Sequence, residues 1–181
     1  MIILGVSGSI RENSYNSAIL RTAKNLLPEE YAMTIYKLDE LPLYNDDLAA
    51  SGPPLPVIEF RKHIANSDGL LIASPEYNYS ITGVLKNALD WAATNTLSNL
   101  LTNKVIAIMG ASRTVFGTVR AQLHLRQILL AASAIVIQKP EVYIRRVQDL
   151  SFENGIIKDE KTLKKIQAVL DALLLRIDEK L

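Results

Sequence analysis

The first seventeen residues constrain the fold of this chain more than any other stretch. Residues 1–6 form an apolar run without polar alternation, a pattern typical of a strand covered on both faces. A loop of serine, glycine and asparagine follows in residues 7–17, and helical spacing of apolar residues begins at Ala18. A buried strand, a polar loop and a helix N-terminus in this order are typical of open α/β sheets, in which such loops bind phosphates.

The polar loop contains several groups suited to a phosphate. Gly8 lets the backbone approach closely, and the guanidinium of Arg11 is a fork of donors that matches a dianionic phosphate. The side chains that offer hydrogen bonds are those of Ser9, Ser14, Asn16 and Ser17. The alternative is an ordinary turn and a helix capped by Ser14 or Asn16. Arg11 favours the phosphate site, because a turn requires no arginine.

Apolar runs and helical patterns alternate along the rest of the chain. Strands are predicted over residues 1–7, 31–36, 69–74, 104–109 and 134–138, and helices over residues 16–27, 57–66, 84–94, 118–132 and 160–180. Strands separated by helices form right-handed crossovers and a parallel sheet. The predicted fold class is therefore α/β, a flavodoxin-like, doubly wound, five-stranded parallel sheet of order 2-1-3-4-5 with helices on both faces.

Two segments do not fit a regular pattern. Residues 37–56 contain four prolines and a glycine, and this composition predicts a long connection without a regular element. Residues 139–146 are predicted to be irregular or extended.

The composition of the chain limits the classes of function that it can have. A chain of 181 residues with 49% apolar residues suits one domain over residues 1–181. The net charge of +1 gives no basic surface of the kind that binds nucleic acid. Cysteine is absent and the two histidines are far apart, so neither a thiolate nucleophile nor a metal site is expected.

No apolar run approaches the roughly 20 residues that span a bilayer. With no signal-peptide pattern, we expect a cytoplasmic protein without membrane association.

A second polar loop, residues 75–80, follows the third predicted strand. The residues of this loop that could border a flat heteroaromatic ring are Pro75, Glu76, Tyr77 and Asn78. The alternative is a turn opened by proline and followed by an ordinary helix. Within that helix, Leu89 and Trp91 are predicted to belong to the core. The phosphate-binding motifs G-x-G-x-x-G and G-x-x-x-x-G-K-[ST] do not occur in the sequence.

Both loops resemble those of a known family. Residues 8–16 are similar to the G-S-x-R-x-x-S-x-N loop of the NADPH-dependent FMN reductase family, which includes quinone, azo-dye and chromate reductases. Residues 75–91 resemble the second signature of that family, and residues 124–129 and 139–141 are similar to its bacterial members. The resemblance extends over essentially the whole chain.

The resemblance implies FMN as cofactor and assigns residues to it. The phosphate would be held by Ser9, Arg11, Ser14 and Asn16, with main-chain help from Ile10 and Tyr15. The isoalloxazine ring would be bordered by Pro75, Glu76, Tyr77, Asn78, Ala111 and Ser112. NADPH or NADH would donate a hydride to FMN, which would then reduce a quinone, an azo compound, a flavin or a similar small acceptor in a ping-pong reaction. No catalytic side chain and no metal are implied.

The family also forms homodimers and homotetramers. By resemblance, Arg126, Glu141 and Tyr79 are interface candidates, although an exposed helix charge is nearly as good an interpretation of Arg126. The chain departs from the family at Thr82, where many members carry proline, and at Arg113 and Thr114, where small residues are common. These departures bear on substrate preference, and Arg113 is a candidate contact for the 2′-phosphate of NADPH.

Two other functions remain open from the sequence. A flavodoxin-like single-electron carrier would share the fold, but such carriers are usually strongly acidic, and the net charge of +1 and Arg11 argue against one. A flavin-free scaffold is the third possibility, and it is disfavoured because both loops keep their polar residues. One-electron or two-electron reduction of bound flavin would distinguish the carrier from the enzyme.

Overall fold

The computed structural model describes residues 1–180, apart from the side chain of Asn95. The strands are β1 (Ile2–Ser7), β2 (Ala32–Tyr36), β3 (Gly69–Ala73), β4 (Val105–Ala111), β5 (Ile135–Val136), β6 (Val142–Ile144), β7 (Phe152–Glu153) and β8 (Ile156–Ile157). The helices are α1 (Tyr15–Leu26), α2 (Asp46–Ser51), α3 (Leu55–Ala65), α4 (Gly83–Ala93), α5 (Val119–Ala131) and α6 (Glu160–Asp178).

The main sheet has the predicted order. Its strands follow one another as β2-β1-β3-β4-β5, and every pairing is parallel. Ile3 of β1 is paired with Met33 on one side and with Gly69 on the other. Because the chain moves from β1 to β2 in one direction and then returns past β1 to β3, the order reverses between β1 and β3. The carboxyl ends of these two strands therefore flank a crevice.

Helices cover both faces of the sheet, as predicted. One core cluster joins the sheet to α3, α4 and α5, and Phe60 and Trp91 are among its fully buried side chains. The other cluster joins the opposite face to α1 and α6, with Ile19 and Leu170 completely buried. Since both faces are covered, the central strands lack polar alternation. The core positions predicted for Leu89 and Trp91 are confirmed.

The prediction of no regular element in residues 37–56 is wrong. The side chain of Asn45 accepts a hydrogen bond of 2.8 Å from the backbone N–H of Asp47 and so caps α2. Pro56 lies in the first turn of α3, where a proline leaves no helical hydrogen bond unmade. The prolines and Gly52 of this segment therefore separate two helices rather than exclude them.

The predicted fifth strand is divided. On the side of β4 away from β3, the two short strands β5 and β6 pair with successive parts of β4. Pro140, which has no N–H to donate, lies in the segment between them. The extended part of residues 139–146 is β6. A hairpin was not predicted: β7 and β8 pair antiparallel around Asn154 and Gly155, both with positive φ. An Asn-Gly pair between apolar residues is the usual sequence signal for this turn.

Candidate functional site

Three loops meet at the carboxyl edge of the sheet. We name them loop A (residues 8–14, after β1), loop B (residues 74–82, after β3) and loop C (residues 112–118, after β4). They enclose a cleft of about 210 Å³ lined by Ser9, Arg11, Ser14, Tyr15, Asn16, Pro75, Glu76, Tyr77, Ala111, Ser112 and Arg113. The structure thus brings together every residue predicted to bind the cofactor except Ile10 and Asn78, which do not line the cleft, and adds Arg113.

Loop A keeps much of its hydrogen-bonding capacity free. Ser14 Oγ caps α1 by accepting from the backbone N–H groups of Asn16 and Ser17, at 3.2 and 3.4 Å. Its own hydroxyl proton remains available to a ligand. Within residues 1–180, the backbone N–H groups of Ile10 and Tyr15 have no hydrogen-bond partner. These donors surround the N-terminus of α1, where the helix dipole favours an anion.

Arg11 is held loosely in loop A. One terminal nitrogen, Nη2, donates to the backbone oxygen of Asn13 at 3.2 Å, and the backbone N–H of Arg11 donates to Ser9 Oγ at 3.4 Å. The side chain forms no salt bridge in the described part of the chain. Its charge is therefore available to an anionic group in the cleft.

Asn16 links α1 to β4. Its side chain is buried, and its amide donates to the backbone oxygen of Ala111 at 3.0 Å and accepts from the backbone N–H of Ala111 at 2.9 Å. The amide thus replaces a neighbouring strand at the end of β4. One amide hydrogen of Asn16 is left over, so a direct contact of this side chain with a phosphate stays a prediction, whereas its role as an anchor is observed.

The tip of loop B is a tight turn. Tyr77 and Ser80 exchange two backbone hydrogen bonds of 3.0 Å, and the residues between them, Asn78 and Tyr79, have φ values of 48° and 70°. Left-handed backbone is unfavourable for residues other than glycine, asparagine and aspartate. The turn is supported from outside by His124, whose Nδ1 lies 3.0 Å from Ser80 Oγ.

Glu76 anchors loop B to α5. One carboxylate oxygen accepts from the backbone N–H groups of Arg120 and Ala121 at 2.9 and 3.2 Å, and the other accepts from Arg120 Nη1 at 2.8 Å. The carboxylate therefore lies on the N-terminus of α5, where a negative charge is stabilised. Only about 10% of its side chain is exposed.

Loops A and B are joined directly. Thr82 Oγ1 donates to the backbone oxygen of Gly8 at 2.6 Å and accepts from the N–H of Leu85 at 3.3 Å, so one hydroxyl bridges loop A and the start of α4. A methyl group at Gly8 would lie 2.7 Å from Ser74 Oγ, so the two strand ends touch at this glycine. The hydroxyl of Thr82 gives this departure from the family pattern a structural role.

Loop C lies against the divided edge of the sheet. The backbone N–H of Ser112 donates to Ile144 of β6 at 2.9 Å, and Ser112 Oγ accepts from the N–H of Thr114 at 3.1 Å. At its end the buried hydroxyl of Thr118 accepts from Gln122 Nε2 at 2.9 Å. This support from β6 was not foreseen from the sequence.

The three interface candidates lie at different places. Tyr79 is 66% exposed at the tip of loop B. Arg126 donates from Nη1 to the backbone oxygen of Ile137 at 2.8 Å, while its buried Nη2 has no partner within residues 1–180. Hydrogen bonds from Lys139 and Tyr143 lower the pKa of Glu141, and the nearby charge of Arg126 adds to this effect.

The described residues show neither a metal cluster nor a membrane helix. No group of three or more His, Asp or Glu side chains within residues 1–180 could hold a metal ion. In the same range, every helix is too short or too polar to cross a bilayer.

The comparisons with known proteins agree with this geometry. The model of the family described as NADPH-dependent FMN reductase matches residues 1–149. The chain belongs to that family. Membership makes it an oxidoreductase that uses FMN and a reduced nicotinamide nucleotide. It is 45% identical over 173 residues to an NAD(P)H-dependent FMN reductase of Pseudomonas aeruginosa, covering 96% of this chain and 93% of the relative.

Other relatives are named for quinones. The chain is 41% identical over 177 residues to an NAD(P)H:quinone oxidoreductase of Solanum tuberosum, covering 94% of this chain and 90% of the relative. Among solved structures, it superposes with a TM-score of 0.90 on FerB, an NAD(P)H:acceptor oxidoreductase of Paracoccus denitrificans, at 32% identity and over 98% and 97% of the two chains. The azoreductase AzrA, at 15% identity and a TM-score of 0.58, shares the fold alone.

Proposed function

We propose that residues 1–181 form a single FMN-binding domain that passes a hydride from NADPH or NADH to FMN and then reduces a small acceptor in a ping-pong reaction. Quinones, azo compounds and free flavins are the acceptors proposed. The observation that carries the proposal is the cleft between loops A, B and C, in which free donors lie beside groups suited to the edge of a ring.

The donors of loop A fit the phosphate of FMN. The N–H groups of Ile10 and Tyr15, the hydroxyl protons of Ser9 and Ser14, and the guanidinium of Arg11 all lie at the start of α1. A phosphate there would gain charge-assisted hydrogen bonds and the favourable end of the helix dipole. Asn16 would act mainly by fixing α1 against Ala111.

Loops B and C fit the isoalloxazine ring. Pro75, Glu76 and Tyr77 form one wall of the cleft, and Ala111 and Ser112 form another. Asn78, at the tip of loop B, does not line the cleft; we propose that its side chain contacts the edge of the bound ring. When bound, FMN supplies the hydride-accepting and hydride-donating chemistry. The residues of this chain hold and orient the ring, exclude water from one of its faces and set the polarity of its edge, so no catalytic side chain is proposed.

The nucleotide would meet Arg113 at the rim. This residue lines the cleft, as Arg11 does, and its guanidinium is suited to the 2′-phosphate that distinguishes NADPH from NADH. We propose on this ground that NADPH is the preferred donor.

Exposed apolar side chains beside the cleft support a homodimer or homotetramer. Tyr79 and Phe116 on loops B and C are 66% and 57% exposed, and Leu123 and Leu130 on α5 are 50% and 75% exposed. Large exposed apolar side chains on neighbouring elements are what a contact surface between subunits would bury. Light scattering after size exclusion would measure the mass of the assembly, and a monomer would contradict this part of the proposal. We also propose that the protein is located in the cytoplasm.

Anaerobic titration tests the proposed function. The purified protein is saturated with FMN, freed of excess flavin and titrated with NADPH while its absorbance is recorded. We expect bleaching in one two-electron step without a semiquinone. Flavin that NADPH leaves oxidised, and that dithionite reduces through a stable semiquinone, would indicate a single-electron carrier. Absence of bound flavin would overturn the whole proposal.

A further inference from the structure

Arg120 occupies a position between loops B and C that the family resemblance does not explain. Its side chain pairs with Glu76 of loop B at 2.8 Å. Its guanidinium carbon also lies 4.0 Å from the ring centroid of Tyr79 and 4.8 Å from that of Phe116 in loop C. One side chain therefore contacts both loops that are proposed to border the ring.

We propose that Arg120 is a positioning residue that clamps loops B and C together and thereby fixes Glu76 and Tyr79 at the mouth of the cleft. The inference rests on the proposed function in one respect, namely that these loops border FMN. The clamp itself is a property of the protein without its cofactor, so the two can fail separately.

The chemistry of arginine suits this role better than that of lysine. A planar guanidinium can stack on aromatic faces while its edge donates to a carboxylate, whereas an ammonium is a compact charge without a face. Tyr79 and Phe116 are both largely exposed, so little else holds these two rings. Tyr79 also has an unfavourable left-handed backbone, which its contact with the guanidinium of Arg120 helps to retain.

The charge of Arg120 has a second consequence. The carboxylate of Glu76 is almost buried beside the proposed ring site. Without the guanidinium it would keep two backbone donors from α5 but lose the positive charge that offsets it. Neutralising Arg120 should therefore loosen both loops and also leave an uncompensated negative charge at the edge of the ring.

Amide hydrogen exchange on the protein without flavin tests the clamp. The variants are Arg120→Gln and Arg120→Lys, and the control is Arg176→Gln, which removes an exposed arginine from α6 far from the cleft. We expect exchange at residues 76–80 and 113–118 to become roughly threefold to tenfold faster in Arg120→Gln, with Arg120→Lys in between. Residues of β1 and α6 should be unaffected in all variants.

FMN affinity and the reduction potential of the bound flavin test the consequence. We expect the Kd for FMN to rise roughly threefold to tenfold in Arg120→Gln, and the potential to fall in Arg120→Gln but to be largely restored in Arg120→Lys. Unchanged loop exchange, or faster exchange throughout the chain, would overturn the clamp. Looser loops with unchanged Kd and potential would overturn its effect on the cofactor. A wild-type protein without FMN would overturn the proposed function, while loop exchange would still decide the clamp.

Discussion

Loops A and B follow neighbouring strands of one sheet but differ in how their polar groups are used. The hydrogen bonds within loop A are long, 3.2 to 3.4 Å, and several of its backbone N–H groups have no partner in the described chain. In loop B, Glu76 accepts three hydrogen bonds, and Tyr77 and Ser80 satisfy one another. Loop A therefore has free donors for a ligand, whereas the Glu76 carboxylate and the Tyr77–Ser80 backbone pair of loop B are already bonded within the protein.

This difference indicates that the two loops have different roles in binding the cofactor. A phosphate can be bound by a loop whose donors are free, because the ligand supplies the missing acceptors. A ring is recognised mainly by shape and by a few fixed groups, so its walls need to be rigid before it binds. Loop A should therefore respond to substitution chiefly in cofactor affinity, and loop B chiefly in order and spectral properties. The hydrogen bonds that attach the helix after loop A to the sheet should instead affect the free energy of unfolding.

The largest effect is expected from Asn16→Ala, which removes the anchor beneath loop A. The backbone N–H and oxygen of Ala111 would lose their partners in a buried place, at a cost of about 3 kcal/mol in the free energy of unfolding. Urea unfolding of the protein without flavin measures this. The control is Asn25→Ala on the exposed face of α1, which should change stability by less than about 0.5 kcal/mol. Equal stability of both variants would show that the Asn16 anchor is unimportant.

Arg11→Ala tests the opposite property, a free donor in loop A. We expect FMN binding to weaken by roughly 1.5–3 kcal/mol through loss of a charge-assisted hydrogen bond, with little change in the stability of the flavin-free protein. Titration with FMN and with riboflavin, which lacks the phosphate, measures both effects. Riboflavin affinity should be unchanged by the substitution. An FMN dissociation constant equal to that of the wild type would refute the phosphate assignment.

Thr82→Val removes the hydroxyl that joins the two loops while keeping the shape of the side chain. The backbone oxygen of Gly8 and the N–H of Leu85 would lose a partner, which should cost about 1–2 kcal/mol of stability. Thr82→Ser is the matched control and should recover most of this loss. If both variants unfold at the same urea concentration as the wild type, loops A and B are not coupled through this hydroxyl.

The sequence predicted the sheet well because its signals are local. The strands β1, β3 and β4 are continuous apolar runs, and each is followed by a polar loop, so the place of the cleft followed from the strand order. The short helix α2 is not predicted, because the surrounding prolines favour a break, although Asn45 is a typical helix-capping residue. The hairpin of β7 and β8 was missed although Asn154-Gly155 signals it.

The contacts that organise the candidate site could not be predicted in this way. Thr82 and Gly8 are 74 positions apart, and Arg120 and Glu76 are 44 apart. No periodicity in either segment specifies the partner, because each pair forms only after the strands have been placed side by side. The resemblance named residues of the cleft but gave no role to Arg120, and it marked Thr82 only as a departure.

The smallest effect on affinity is expected at the tip of loop B. Asn78 has a φ of 48°, a backbone conformation that asparagine and glycine adopt at lower cost than alanine. Asn78→Ala should therefore cost about 1 kcal/mol of stability. By comparison, Asn78→Gly keeps the turn and removes only the side chain, so the two variants separate backbone strain from side-chain contact.

If Asn78 borders the ring, both variants should change the absorbance or the potential of bound flavin more than its dissociation constant. A change in Asn78→Ala alone would assign the effect to the turn, and no change in either would show that the side chain does not contact the ring. For both Asn78 variants, urea unfolding of the flavin-free protein should be measured in parallel. A loss of stability there would indicate a disordered loop, whereas unchanged stability would indicate a lost contact with the flavin.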